Sequence, residues 1–334
     1  MALQNATTNG NPNPISYRNI RDEFGNPTDN KLGNYRVSES YGELSGLPLD
    51  SGIPQFDNPI KFSDFYGKRA NIVVDLYSGG QNTNYNYDVY SNAYAANKYA
   101  VVGATDRNSI PKSAWQGGKK VIIHINRHFG SNGANSINHA AVKTGNINNN
   151  NSQSGWPGDT TFSIDIGSSG RIYGRGGNGG RAANSNNNAA TKGEAGTSAL
   201  KLINGMQDEV SHHSRVIAGG GGGGGGGGSE QDDGGFMWVS GDYNAAGGGG
   251  GGGGRGFPAG NGGAGGSPGG AGGNAGSKNA RGNGGNGGDD AESEGGKGGH
   301  GGGAGAHGEN GFAGRENTTS RSLGGEQGSQ FIFY

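Results

Sequence analysis

Apolar residues come in short runs along this chain, and their spacing changes character twice. In Ile15-Ser16-Tyr17-Arg18-Asn19-Ile20-Arg21-Asp22-Glu23-Phe24-Gly25 the spacing predicts a short helix. Ser16 stands at the N-cap, Ile15 and Ile20 occupy the staple positions, and Gly25 is the stop. Ile60-Lys61-Phe62-Ser63-Asp64-Phe65-Tyr66-Gly67 predicts a second compact turn, and the proline-punctuated stretch 47–54 between them reads as extended. Strand alternation then takes over. Asn71-Ile72-Val73-Val74-Asp75-Leu76-Tyr77 predicts one strand, and residues 120–126 a second with Val121, Ile123 and Ile125 on one face. Thr161-Phe162-Ser163-Ile164-Asp165-Ile166 repeats the pattern and Gly167 ends it. Asparagine-rich linkers, notably 148–151, separate these segments, and most of the apolar core is expected within residues 71–170.

From about Gly170 glycine replaces the hydrophobic pattern. One conventional pair remains, Ala199-Leu200-Lys201-Leu202-Ile203 with Val216-Ile217, which reads as two strands. Residues 219–228 and 247–254 are unbroken glycine runs. Beyond them glycine recurs every third residue: Gly270, Gly273, Gly276, then Gly282, Gly285, Gly288, then Gly296 through Gly314. A period of three fits neither α-helix nor strand; it fits the polyproline II helix, with three residues per turn. The frame slips at Ser267 and at 289–294, and the chain has only 10 prolines. Slips would disrupt a collagen rod, but they suit a bundle of polyglycine II helices joined by turns. The stretch from Gly296 to Gly314 reads as a single rod of roughly 60 Å at about 3.1 Å per residue.

The fold class expected is therefore mainly β and irregular. It comprises a docking or capping segment over 1–70, a β-rich domain over 71–170 and a polyglycine II bundle with variable loops over 171–334. In such a bundle the loops carry identity: 229–244, 277–281, 289–294 and 315–322. The first holds Asp232, Asp233, Phe236, Met237, Trp238 and Tyr243 between two glycine runs, and an exposed aromatic cluster of that kind reads as a recognition surface, with local packing as the alternative. Asp289, Asp290 and Arg315 complete the contact candidates. The candidates for docking in the first segment are Ile15, Ile20, Phe24, Phe62, Phe65 and Tyr66.

Composition narrows the chemistry. The 334 residues include 78 glycines and only 29% hydrophobic residues, too few for a conventional core along the whole length. With 26 basic against 27 acidic side chains there is no field to attract nucleic acid or an anionic membrane. There are no cysteines, hence no disulfides or thiolate metal sites. The first residues lack a basic and apolar leader, so no export signal is expected. No apolar run is long enough to span a bilayer.

Catalytic motifs are weak. Gly174-Arg175-Gly176-Gly177-Asn178-Gly179 satisfies GxGxxG formally, as do many windows here, without a βαβ context. His124 and His128 lack an HExxH partner, and His300 and His307, seven apart, point to different faces of a three-residue helix. Carboxylate pairs such as Asp232/Asp233 and Asp289/Asp290 sit in glycine-flanked loops without a desolvating pocket. No enzyme activity, cofactor or metal is expected.

The order Gly-Arg-Ile-Tyr-Gly-Arg-Gly-Gly-Asn-Gly-Gly (170–180), Ala-Leu-Lys-Leu-Ile (199–203), Val-Ile-Ala-Gly-Gly-Gly-Gly (216–222), then glycine runs split by inserts, resembles glycine-rich tail-fibre proteins of tailed bacteriophages. It is also similar to the tip adhesins of T-even-like phages. Residues 15–25 and 59–67 resemble segments of phage virion proteins. The resemblance implies a polyglycine II sandwich whose hypervariable loops bind a host surface receptor, protein or glycan. It also implies other virion tail proteins as partners, assembly in the host cytoplasm and release by lysis, with a homotrimer among the assemblies left open. A purely structural virion role (fibre shaft, sheath or decoration) is the alternative. An ice-binding polyglycine II protein is a poorer fit, because Lys297, His300, Glu309 and Arg315 break the array of small side chains it needs.

Overall fold

Three parallel sheets, built up strand by strand as the chain winds between them, organise the first structural unit. The computed structural model describes residues 5–8, 11–24, 32, 58–68, 72–76, 87–88, 120–131, 139–145, 147–148, 156–157, 160–184, 189–202, 209–231, 244–290, 293–314, 323–324 and 331–333. Near the N-terminus β1 (Thr7–Thr8) and β2 (Asn11–Pro12) form a small antiparallel pair, followed by α1 (Tyr17–Phe24). The expected cap is in place: the Asn19 N–H donates to Ser16 Oγ at 3.2 Å, and Asn19 Oδ1 accepts the Ser16 N–H at 2.9 Å. A 3-10 turn at Phe62–Phe65 follows, closed by the Lys61 N–H donating to the Asp64 carboxylate at 2.7 Å.

The strands then appear in a repeating order. They are β3 (Ile72–Leu76), β4 (Tyr87–Asp88), β5 (Lys120–Ile125), β6 (His128–Phe129), β7 (Ala140–Lys143), β8 (Ile147–Asn148) and β9 (Trp156–Pro157). Next come β10 (Thr161–Ile166), β11 (Arg171–Tyr173), β12 (Ser198–Leu202) and β13 (Val216–Ile217), and β18 (Phe331–Phe333) closes the chain. One sheet stacks β3, β5 and β10, extended by a parallel bridge from Ile164 to Val210. The second stacks β6, β11 and β13, and the third β4, β7, β12 and β18; all these pairs are parallel. The chain visits the sheets in the same order on each pass, so it winds as a three-faced coil. In-register parallel pairing aligns like side chains in columns. Ile123 pairs with Ile164, Ile125 with Ile166, and Phe129 with Ile172, all of them buried. Trp156 is fully buried too, its indole N–H donating to the Thr144 carbonyl and its ring set edge-on to Phe162 at 5.4 Å.

The glycine-rich stretches grow from one corner of this coil. Between the second and third sheets the chain spends 10 residues after β6, 24 after β11 and 113 after β13. The second and third sheets therefore draw strands from both sides of residue 170, and the first is joined from beyond it by the Val210 bridge.

Those excursions fold into extended segments bonded to one another through the backbone. Along the chain they are segment 1 (174–184), segment 2 (191–197), segment 3 (218–228), segment 4 (247–256) and segment 5 (258–266). Segments 6 (270–276), 7 (282–288), 8 (295–303) and 9 (306–313) complete the set. Their hydrogen bonds repeat every three residues. Gly177, Gly180 and Ala183 donate to Gly220, Gly223 and Gly226; Gly250 and Gly253 donate to Ala271 and Asn274. Segment 4 lies at the centre, donating in rotation to segments 6, 1 and 8 and accepting in rotation from segments 7, 5 and 3. A Cβ built on Gly251 would come well inside 3.0 Å of the Gly223 carbonyl oxygen, and one on Gly249 equally close to that of Gly285. Six backbone neighbours leave no edge for a side chain, which is why 247–254 is all glycine.

Peripheral segments carry glycine where an edge meets a neighbour and admit side chains on their open edges. Asn261 and Ala264, Asn283 and Asn286, and Lys297 stand exposed on their outer edges. Turns fall at Ser267 and at 289–294, where the triplet frame slips. The stretch 296–314, however, is two segments and not one rod. Gly305, at φ +59°, turns the chain, and the Glu309 N–H then donates back to the His300 carbonyl. The glycines at 302, 305 and 308 stay in phase across this turn, so the period hides it.

Candidate functional site

Donor–acceptor offsets fix the direction of every segment. Segments 1, 3, 5, 7 and 9 run one way; 2, 4, 6 and 8 run the other. One end of the bundle meets the coil, because β11 and β13 lead directly into segments 1 and 3 and segment 2 leads into β12. The turns 255–258, 277–281 and 304–305 lie at that proximal end. The connections 185–190, 229–246, 267–269 and 289–294 all leave the distal end, as does the chain after segment 9.

The distal end is built on two short antiparallel ribbons. β14 (Ser229–Gln231) pairs with β15 (Asn244–Ala246), and β16 (Asp289–Asp290) pairs with β17 (Ser293–Glu294). The ribbons pack against one another, with β17 touching both β14 and β15. The adjacent turn is pinned by the Ser267 N–H donating to Asn184 Oδ1 at 3.0 Å and the Gly247 N–H donating to the Pro268 carbonyl at 2.6 Å. Asp289 sits directly opposite Glu294 and both are exposed, an arrangement of like charges that weakens a ribbon of this kind. The distal connections, taken with 315–322, carry nine carboxylates (Glu230, Asp232, Asp233, Asp242, Asp289, Asp290, Glu292, Glu294 and Glu316) against Arg315 and Arg321. The proximal turns carry Arg255, Lys278 and Arg281 and no carboxylate.

Of the contact candidates, Asp289 and Asp290 therefore lie on a distal ribbon. Asp232, Asp233, Phe236, Met237, Trp238, Tyr243 and Arg315 lie outside the described residues, but their flanking segments end on the same side. The turn 277–281, grouped with these loops on sequence, stands at the opposite end. Sequence reasoning passed over 185–190, and it marked Ser267 as a turn by the slipped frame without counting 267–269 among the contact loops. Among the docking candidates, Ile20 and Phe65 are fully buried, Ile15 and Tyr66 half-buried, and Phe62 is 42% exposed. The side chain of Phe24 lies outside the described residues.

At the proximal seam His128 stacks edge-on to Tyr173 at 5.5 Å, and its Nδ1 is buried without a hydrogen-bond partner among the described residues. Burial, reinforced by the Lys278 and Arg171 charges, holds its pKa below the ordinary value of 6.5. Among the described residues no group of three His, Cys, Asp or Glu is placed to hold a metal ion, and no helix is long and apolar enough to cross a membrane.

No curated protein sequence matches the chain. Among solved structures it is similar to the gp37-gp38 adhesin tip complex of the bacteriophage S16 long tail fiber, with 16% identity, 84% of each chain covered and a TM-score of 0.36. The family model "Phage tail fibre adhesin Gp38" matches residues 80–332, spanning strand coil and glycine bundle alike. The chain thus belongs to the Gp38 family of phage tail fibre adhesins.

Proposed function

We propose that this tail-fibre adhesin binds a bacterial outer-surface receptor through the distal end of its glycine bundle. The observation that carries the reading is topological. The acidic and aromatic inserts all leave the bundle at one end, and the strand coil is joined to the other. In this reading the nine segments are polyglycine II helices. Three-residue bonding supports it, as does a central segment ringed by six others. A rigid backbone lattice leaves the loops free to vary, because no loop side chain is needed for a core.

Phe236, Met237, Trp238 and Tyr243 supply apolar contact area, and the distal carboxylates favour a basic patch on the receptor. Residues 1–70 join the chain to another virion tail protein, with Phe62 as an exposed contact, while the strand coil acts as base and the glycine segments within 174–313 as display. Assembly takes place in the host cytoplasm and release follows lysis.

The test is competition. Purified protein should block phage adsorption, and replacing residues 232–243 by a short glycine-serine linker should abolish the block without changing thermal melting. Unchanged competition by that variant would refute the reading. Antibody labelling spread along the fibre, not confined to its end, would favour the structural-component alternative.

A further inference from the structure

We infer that the turn 255–258, through Phe257, is the bearing that fixes the direction in which the distal end points away from the strand coil. This rests on the reading of the distal end as the receptor surface. In the sheet β13–β11–β6, the first two strands run on into segments 3 and 1. β6 ends at Phe129 and, among the described residues, feeds no segment. Its place in the bundle is taken by the 255–258 turn.

Phe257 bonds both neighbouring strand exits. Its N–H donates to the Gly174 carbonyl at 3.0 Å, just beyond β11, and its carbonyl accepts the Ser131 N–H at 3.1 Å, just beyond β6. Its ring meets Tyr173 edge-on at 5.9 Å, and Tyr173 in turn meets His128. Gly130 makes room: a Cβ there would fall 2.5 Å from the Phe257 carbonyl oxygen and 2.8 Å from its ring. The same turn is tied into the bundle. The Gly176 N–H donates to the Pro258 carbonyl, the Gly256 N–H to the Ser277 carbonyl, and the Arg255 N–H to the Gly302 carbonyl. Arg255 Nε also donates to the Lys278 carbonyl at 2.9 Å.

The mechanical logic follows from the connections. The chain crosses from coil to bundle at 173–174, 197–198 and 217–218, where the Gly174 N–H donates to the Ile217 carbonyl, the Thr197 N–H to the Arg175 carbonyl and the Gly219 N–H to the Thr197 carbonyl, and it returns to β18 after segment 9. Those bonds lace the β13, β11 and β12 exits to one another; on the β6 side tilt is resisted by Phe257, with one main-chain bond to each flank and its ring against Tyr173. Where several copies engage a surface together, tips that point inconsistently lose simultaneous contact even at unchanged affinity.

The chain has 0 cysteines, so two introduced ones report without background. Ser168→Cys on the coil and Asn274→Cys on segment 6, both exposed positions, would carry spin labels in the full-length protein. One narrow distance distribution is expected for the parent. Gly130→Val should broaden or shift it, leave binding to host outer-membrane vesicles within about twofold, and slow adsorption of phage carrying it by about tenfold. Phe257→Leu keeps the main-chain bonds and removes only the ring contact; it should give a smaller broadening and serves as the test if Gly130→Val fails to fold. A distribution as narrow and identically centred in the folded variants would overturn the inference. Failure of the parent itself to bind vesicles would instead count against the receptor reading.

Discussion

The strand coil and the glycine bundle solve the same problem in opposite ways. In the coil, columns of isoleucine, valine and phenylalanine fill an interior, and stability scales with apolar area removed from water. In the bundle there is no side-chain interior; closeness of backbones is the packing, and hydrogen bonds satisfy almost every group. The coil is therefore sensitive to what is removed, the bundle to what is added.

That contrast can be broken most forcefully in segment 4. Gly251→Ala places a methyl against the Gly223 carbonyl, with backbone on every side to resist relaxation. A loss of about 3 kcal/mol or more is expected by denaturant melting, the upper end of overpacking costs. Asn283→Ala, on an exposed edge of segment 7, should change stability by less than about 0.5 kcal/mol. Taking one methyl away from the coil should hurt less than adding one to the bundle: Ile164→Val is expected to cost about 1 kcal/mol. Asp289→Asn relieves the like-charge pair with Glu294 and should raise stability by about 0.5 kcal/mol. The same change should weaken receptor binding, which titration with host vesicles would detect.

The smallest effect concerns pH. His128 has a folded pKa below 6.5, so the unfolded chain takes up its proton first as pH falls. Its contribution leaves stability untouched above about pH 6.5 and lowers it on acidification down through the folded pKa. His128→Gln should flatten that part of a melting-versus-pH curve.

The strands β3, β5 and β10 were legible because each carries two or three alternating apolar residues, as in Val121-Ile122-Ile123-His124-Ile125, whereas β4, β6, β7 and β18 are too short or too mixed to declare themselves. Their assembly into a coil was not, since nothing local says that Ile123 stacks on Ile164 across forty residues. Interior and peripheral glycine segments can be told apart in hindsight: unbroken runs mark segments ringed by neighbours, triplets mark those with an open edge. The functional end was half legible. The inserts at 229–244 and 289–294 interrupt the glycine frame and so declare themselves, but the end they share depends on counting turns. Reading 296–314 as one rod puts 289–294 and 315–322 at opposite ends. The in-phase turn at Gly305 brings them to the same one, and its only trace is a left-handed residue where any L side chain would be strained.

Hydrogen–deuterium exchange of the full-length protein, with and without outer-membrane vesicles from a host that adsorbs the phage, tests the central claim most directly. Protection should concentrate in 229–246, 289–294 and 315–322. Protection centred on the proximal turns 255–258, 277–281 and 304–305, with the distal connections unchanged, would contradict it.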